Sequence, residues 1–92
     1  MEEKKMETHK AEQKEIDMTT TWGTWEKEPS TFDYSYDEKE TCYILEGEAE
    51  VTDKKGNKIK FGKGDWVVFH PGLECTWKIS KEIKKRYYFG KL

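Results

Sequence analysis

In the stretch FDYSYDEKETCYILEG, Phe32 to Gly47, the residues Tyr34, Tyr36 and Glu40 share one parity. Residues two apart in an extended chain point to the same face. Two phenols and a carboxylate can therefore stand side by side, lining a ligand site, holding a metal, or serving as packing and surface. A phenol ionises near pH 10, so tyrosine ligates well only when the metal is a strong Lewis acid. Cys75 offers a sulfur that attacks as a nucleophile only where a cation favours its thiolate. It shares a face with Trp77 and Ile79 in CTWKIS, no histidine is expected beside it, and packing is the preferred reading. Cys42, heading the run CYIL, reads the same way. His9 falls in a charged N-terminal run. His70 falls at a turn, where one hydrogen-bond partner suffices.

The elements that position these groups read as strands. Residues 1–18, MEEKKMETHKAEQKEIDM, are dense in charge, with Met6, Ala11, Ile16 and Met18 as apolar points. Helix propensity is good there, but Glu3/Glu7 and Lys10/Lys14 are like-charge pairs four apart that oppose an isolated helix. This segment is expected to be a loosely held charged arm, with a domain over residues 19–92. From Thr19 onward β-branched and aromatic residues take over, with Gly23 and Pro29 as breaks. TCYILEG reads as a short strand ending in a turn at Glu46-Gly47. EAEVTD and KIKF form a hairpin about DKKGN. WVVFH, CTWKIS and IKKRYYFG complete the set. Short strands with a turn signal about every ten residues predict an all-β sandwich or barrel.

Composition narrows the function classes. The chain has 92 residues, enough for one small domain. Charged residues make up 39 %, close to a disordered composition, but 14 % aromatic supplies a core of few, large side chains. The formal net charge of −2 gives no strong field toward nucleic acid or membrane. KEIKKRYY could pass for a nucleic-acid patch, but acids elsewhere cancel it and strand alternation turns part of it inward. GKGD lacks the Walker spacing and an expected following helix. There is no apolar run near 18 residues and no signal-peptide core. Neither nucleic acid nor membrane is expected as a partner, and the cytoplasm is the expected compartment. There, two cysteines stay thiols.

Two segments together resemble the cupin family of small jelly-roll barrels. The first cupin motif runs His-x-His, three or four residues, Glu, six residues, Gly; here Tyr34-Ser35-Tyr36, Glu40 and Gly47 keep that spacing. The second runs Gly, five residues, Pro-x-Gly, two residues, His; here Gly64 and Gly72 stand at that spacing. GDWVVFHPGLECTW and WEKEPSTFDYSYDEKETCYILEGEAEV are similar to the small single-domain cupins akin to ureidoglycine aminohydrolase domains, over about residues 22–90. The departures are informative. Glu28 stands at the first motif's opening Gly, Tyr34 and Tyr36 replace its two histidines, Cys75 replaces the third, His70 takes the proline position, and Ile79 the terminal Asn. Only Glu40 survives of the usual three histidines and a glutamate.

The resemblance implies a cupin-type jelly-roll barrel, the double-stranded β-helix. Its inward face, joined to strand parity, gives a cavity of Tyr34, Tyr36, Glu40, Cys42, Cys75, Trp77, Lys85 and Tyr87. The expected function is binding of a small polar metabolite, with Glu40 and Lys85 as polar anchors and Tyr34, Tyr36 and Trp77 as walls. No cofactor is expected. A metal, if held, would be an atypical divalent or ferric ion on Tyr34, Tyr36, Glu40 and Cys75. The alternative is an enzyme of ureide-type or related metabolites that uses Glu40 with such a metal or by proton transfer. The segment around Trp22 and Trp25 is expected to add a strand in a homodimer.

Overall fold

The computed structural model describes residues 5–92. Strand β1 is Met6–Lys10, and a short helix α1 spans Gln13–Met18. A 3-10 turn over Thr19–Thr21 leads to β2, Gly23–Lys27, and β3, Ser30–Ser35. Then follow β4, Glu40–Asp53; β5, Lys58–Gly62; β6, Asp65–Phe69; and β7, Glu74–Phe89.

The long strands β4 and β7 organise the rest by running antiparallel along each other. The first part of β4, Glu40–Tyr43, pairs with β6 on one side and with the end of β7 on the other. The second part pairs with β5 and with the beginning of β7. Along its other edge β7 takes β3 on Ser30–Ser35 and β2 on Gly23–Lys27. Where the two halves meet, the register slips between Ile44 and Ala49 of β4. Gly47 sits in that irregularity with φ +98°. A Cβ there would overlap the Glu82 carbonyl oxygen of β7, so only glycine lets the two backbones approach this closely. The slip bends the sheet and folds its halves over a shared core, giving the expected all-β jelly-roll barrel.

The core is aromatic, as the composition demanded. Trp77 lies 5.4 Å from both Phe61 and Phe69, ring centre to ring centre. Ile44, Val51, Val67 and Ile83 fill the space around them. Each buried ring removes a large apolar area from water, which offsets the high charge content of the surface. Many charged strand positions face solvent, and several pair across strands, as Glu48 does with Lys81 and Glu50 with Lys58.

Two local expectations change. Strands read as separate, TCYILEG with EAEVTD and CTWKIS with IKKRYYFG, are continuous as β4 and β7. The glycine read as a turn marks a bulge. The N-terminal segment is more ordered than a loose arm. Met6–Lys10 pairs in full register with β6, and Met6 is buried in the core. The Glu15 carboxylate accepts from the backbone N–H of Glu12 at the start of α1, at 2.9 Å. The first four residues of the arm, Glu3 among them, lie outside the described residues. Among the described residues no helix is long and apolar enough to cross a membrane.

Candidate functional site

The site is built where the end of β3, the start of β4 and the C-terminal half of β7 converge. Just past β3, the Tyr36 N–H donates to the Leu73 carbonyl at 2.8 Å, and the Tyr36 carbonyl accepts from the Gly72 N–H at 2.7 Å. These bonds turn the Tyr36 side chain inward, flat on Phe69 at 4.8 Å. Glu40 opens β4, so its side chain enters from the barrel end, opposite Phe69 and Phe89. Lys85 enters from β7, opposite Ile44 of β4 and Trp25 of β2.

The three polar groups form one chain of contacts. The Tyr36 hydroxyl donates to Glu40 Oε1 at 2.8 Å, and Lys85 Nζ donates to Glu40 Oε2 at 2.9 Å. Glu40 is 4 % exposed and Lys85 5 %. The ammonium also lies between two indoles, 4.7 Å from the ring centre of Trp25 and 4.8 Å from that of Trp77. A desolvated cation in contact with ring faces gains electrostatic attraction from both. Burial by itself would pull the Lys85 pKa down, but the Cys42 and Glu40 neighbours outweigh it and the net shift is upward. Burial also pushes the Cys42 thiol up. Cys42 therefore stays protonated, and Glu40 is the charge that counts. Burial first, and then the adjacent Glu40 carboxylate, push the Tyr36 phenol up as well.

Above this floor opens a cleft of about 180 Å³. Tyr34, Tyr36, Glu40, Trp77, Lys85 and Tyr87 line it together, with Trp25, Phe32 and Phe89. Tyr34 is at the mouth, 43 % exposed and edge-on to Tyr36 at 4.6 Å. Of the residues expected in the cavity, Cys75 and Cys42 are buried but do not line the cleft. Cys75 Sγ donates to the Tyr34 carbonyl at 3.4 Å, and burial with the carboxylates of Asp33, Asp53 and Glu40 pushes its thiol up to about 11. It is a packed thiol at neutral pH. Phe32 and Phe89 could have been added by parity, since they alternate with Tyr34 and Tyr87. Trp25 could not, because only the β2–β7 register brings it opposite Lys85.

The donors do not suit a metal ion. Both Glu40 oxygens already accept hydrogen bonds, one from an ammonium, and an incoming cation would meet Lys85 at the same carboxylate. Tyr36 resists ionisation and Tyr34 stands at the rim. The described residues contain no group of three histidines, cysteines or acids placed to hold an ion. The histidines lie elsewhere. His9 Nε2 is 3.0 Å from Glu15, and His70 Nε2 is 3.9 Å from Glu7 at the turn after β6.

The sequence and the fold have recognisable relatives. The family model of the EutQ-like cupin domain matches residues 15–87. A DUF861 family protein from Thermotoga maritima, solved by crystallography, is 42 % identical with a TM-score of 0.88. That match covers 91 % of this chain and 98 % of the other. The EutQ protein of Clostridium difficile is 19 % identical with a TM-score of 0.68, over 74 % of this chain and 53 % of its own. A putative ethanolamine utilization protein Q of Salmonella typhimurium is 16 % identical with a TM-score of 0.68, over 95 % of this chain and 58 % of its own. This chain spans little more than half of those two proteins, and at such identities they share its fold alone. No match was found among the curated proteins.

Proposed function

The chain belongs to the EutQ-like cupin domain family, and from that premise we propose that it is a metabolite-binding cupin working without the family motif's histidine metal site. The observation that carries this reading is the buried Tyr36–Glu40–Lys85 chain at the floor of an open aromatic cleft. A barrel that had merely lost its metal would be expected to fill with apolar side chains. Here two charged groups are kept at the floor, where burying each costs several kcal/mol without a partner. A pocket with apolar walls and a few convergent polar groups is the usual form of a small-molecule site.

A thermal-shift screen of small polar metabolites tests the reading. A binder raises the melting midpoint by mass action, and Tyr34→Ala, at the exposed mouth, weakens it without disturbing the core. A screen in which no compound shifts the midpoint overturns it. For the metal, elemental analysis of protein purified without added metal is expected to give substoichiometric amounts. Stoichiometric Fe, Mn or Zn that Glu40→Ala abolishes would reverse that part.

The second reading is a proton-transfer enzyme on ureide-type metabolites, as the resemblance to ureidoglycine aminohydrolase domains implies. The linked phenol, carboxylate and ammonium support it. Turnover of such compounds, lost in Glu40→Gln, would establish it. The same proposal places the protein in the cytoplasm, with Cys42 and Cys75 as free thiols. It also pairs the chain with a second copy through β2.

A further inference from the structure

We infer that the ligand of this cleft is a small, uncharged, planar ring bearing an amide, such as an aromatic carboxamide or a lactam; this rests on the cleft being a binding site. Glu40 and Lys85 are the charged residues of the lining, and they neutralise each other at 2.9 Å. The other lining residues are aromatic. Lys27 lies over the Phe32 ring at 5.3 Å but does not line the cleft. A ligand with net charge would be desolvated against a neutral floor and aromatic walls with no opposite charge to meet it, which is unfavourable.

The floor is neutral but not saturated. An ammonium has three N–H donors. One goes to Glu40 at 2.9 Å, and the rest of the ammonium, between the Trp25 and Trp77 rings, lines the cleft. An ionised carboxylate has about four lone-pair sites, of which Tyr36 and Lys85 take one each. Both groups line the cleft on side chains more than nine-tenths buried, so the paired ammonium and carboxylate offer donor and acceptor capacity at one place. The complementary ligand edge carries an acceptor beside a donor, which is the C=O and N–H edge of an amide. A carboxylate offers two acceptors and would face the Glu40 oxygens. An ammonium offers only donors and would face Lys85. The walls select shape. Phe32 stacks on Trp77 at 5.9 Å and 12°, with Trp25 edge-on to both, so the lining is made of ring faces and edges, against which a planar ring packs better than branched aliphatic groups.

Calorimetry of the 92-residue chain with benzamide, benzoate and benzylammonium tests this, because the three share one ring and differ in head-group charge. Benzamide is expected to bind at least about tenfold more tightly than either ion. Benzoate or benzylammonium binding as well as benzamide overturns the inference while the cleft remains a binding site. Failure of all three overturns the inference, and the metabolite screen then decides the binding reading separately. Glu40→Gln leaves Lys85 as the one charge of the floor, and the preference should move to benzoate. An unchanged preference in a folded Glu40→Gln protein also counts against it. Should that variant fail to fold, the series on the unmodified protein still decides.

Discussion

An ammonium and a carboxylate at 2.9 Å, each about one-twentieth exposed, hold each other in place. Removing one partner leaves an uncompensated buried charge, whereas removing both leaves an apolar floor among aromatic rings. Lys85→Met alone and Glu40→Leu alone should each cost about 3–5 kcal/mol of unfolding free energy. The double variant should cost clearly less than their sum, and urea titrations of the four proteins in the cycle measure it. Strict additivity would mean that the pair is not coupled. The same residues set the alkaline limit. Lys85 holds its proton more tightly folded than unfolded, so its contribution is complete below the ordinary lysine value of 10.5 and is lost as pH rises through the higher folded value. Cys75, raised from 9.0 to about 11, and Tyr36, raised from 10.0, act in the same direction. Unfolding free energy should therefore fall steadily from about pH 9 upward, and a denaturation series through pH 11 that stays flat would contradict this. Much of this site was legible in the sequence. Motif spacing put Tyr34, Tyr36 and Glu40 together, and strand parity joined to the inward face implied by the cupin resemblance added Lys85 and Tyr87. The ammonium between two indoles was not legible, because Trp25 reaches Lys85 only through a pairing between strands some sixty residues apart.

At the scale of elements, β4 and β7 do most of the positioning, and the Gly47 bulge lets one strand serve two halves of the sheet. Composition does not separate a glycine turn from a glycine bulge, since both ask for positive φ. This is why Glu46-Gly47 read as a strand end, although the strands on either side were recognised. A side chain at Gly47 would combine an unfavourable φ of +98° with overlap onto the Glu82 carbonyl. Gly47→Ala should therefore destabilise by at least about 2 kcal/mol, read as a drop in melting temperature of roughly 8 °C or more. Gly56, at the tip of the β4–β5 hairpin, also has positive φ but meets nothing within 4 Å. Gly56→Ala is the control, and its loss should be smaller. Equal losses would mean that conformation alone, without the close approach, accounts for Gly47. Strand β1 was missed for a related reason. METHK alternates weakly and is rich in charge, so its pairing is specified by the open edge of β6 and by one buried side chain, Met6, more than by its own pattern.

For the molecule as a whole, the Cα radius of gyration of 12.4 Å is that of a compact chain of this length, yet the sheet keeps open edges. Both β2 and β3 pair with β7 alone among the described residues, so the outer edge of each is bare. A bare strand edge presents unpaired backbone groups and invites a further strand. The β2 edge also carries Trp25, which supports Lys85 and walls the cleft. Trp22, beside it, packs on Trp66 and Tyr88 at 5.5 and 5.7 Å, which anchors the strand's entry. Two copies joined through β2 would satisfy both edges at once in an isologous contact, the commonest form of homodimer. Light scattering should accordingly give about twice the 11.0 kDa chain mass. The melting midpoint should rise with protein concentration, because association stabilises the folded state by mass action. A single-chain mass at high concentration, with a midpoint independent of dilution, would remove the dimer.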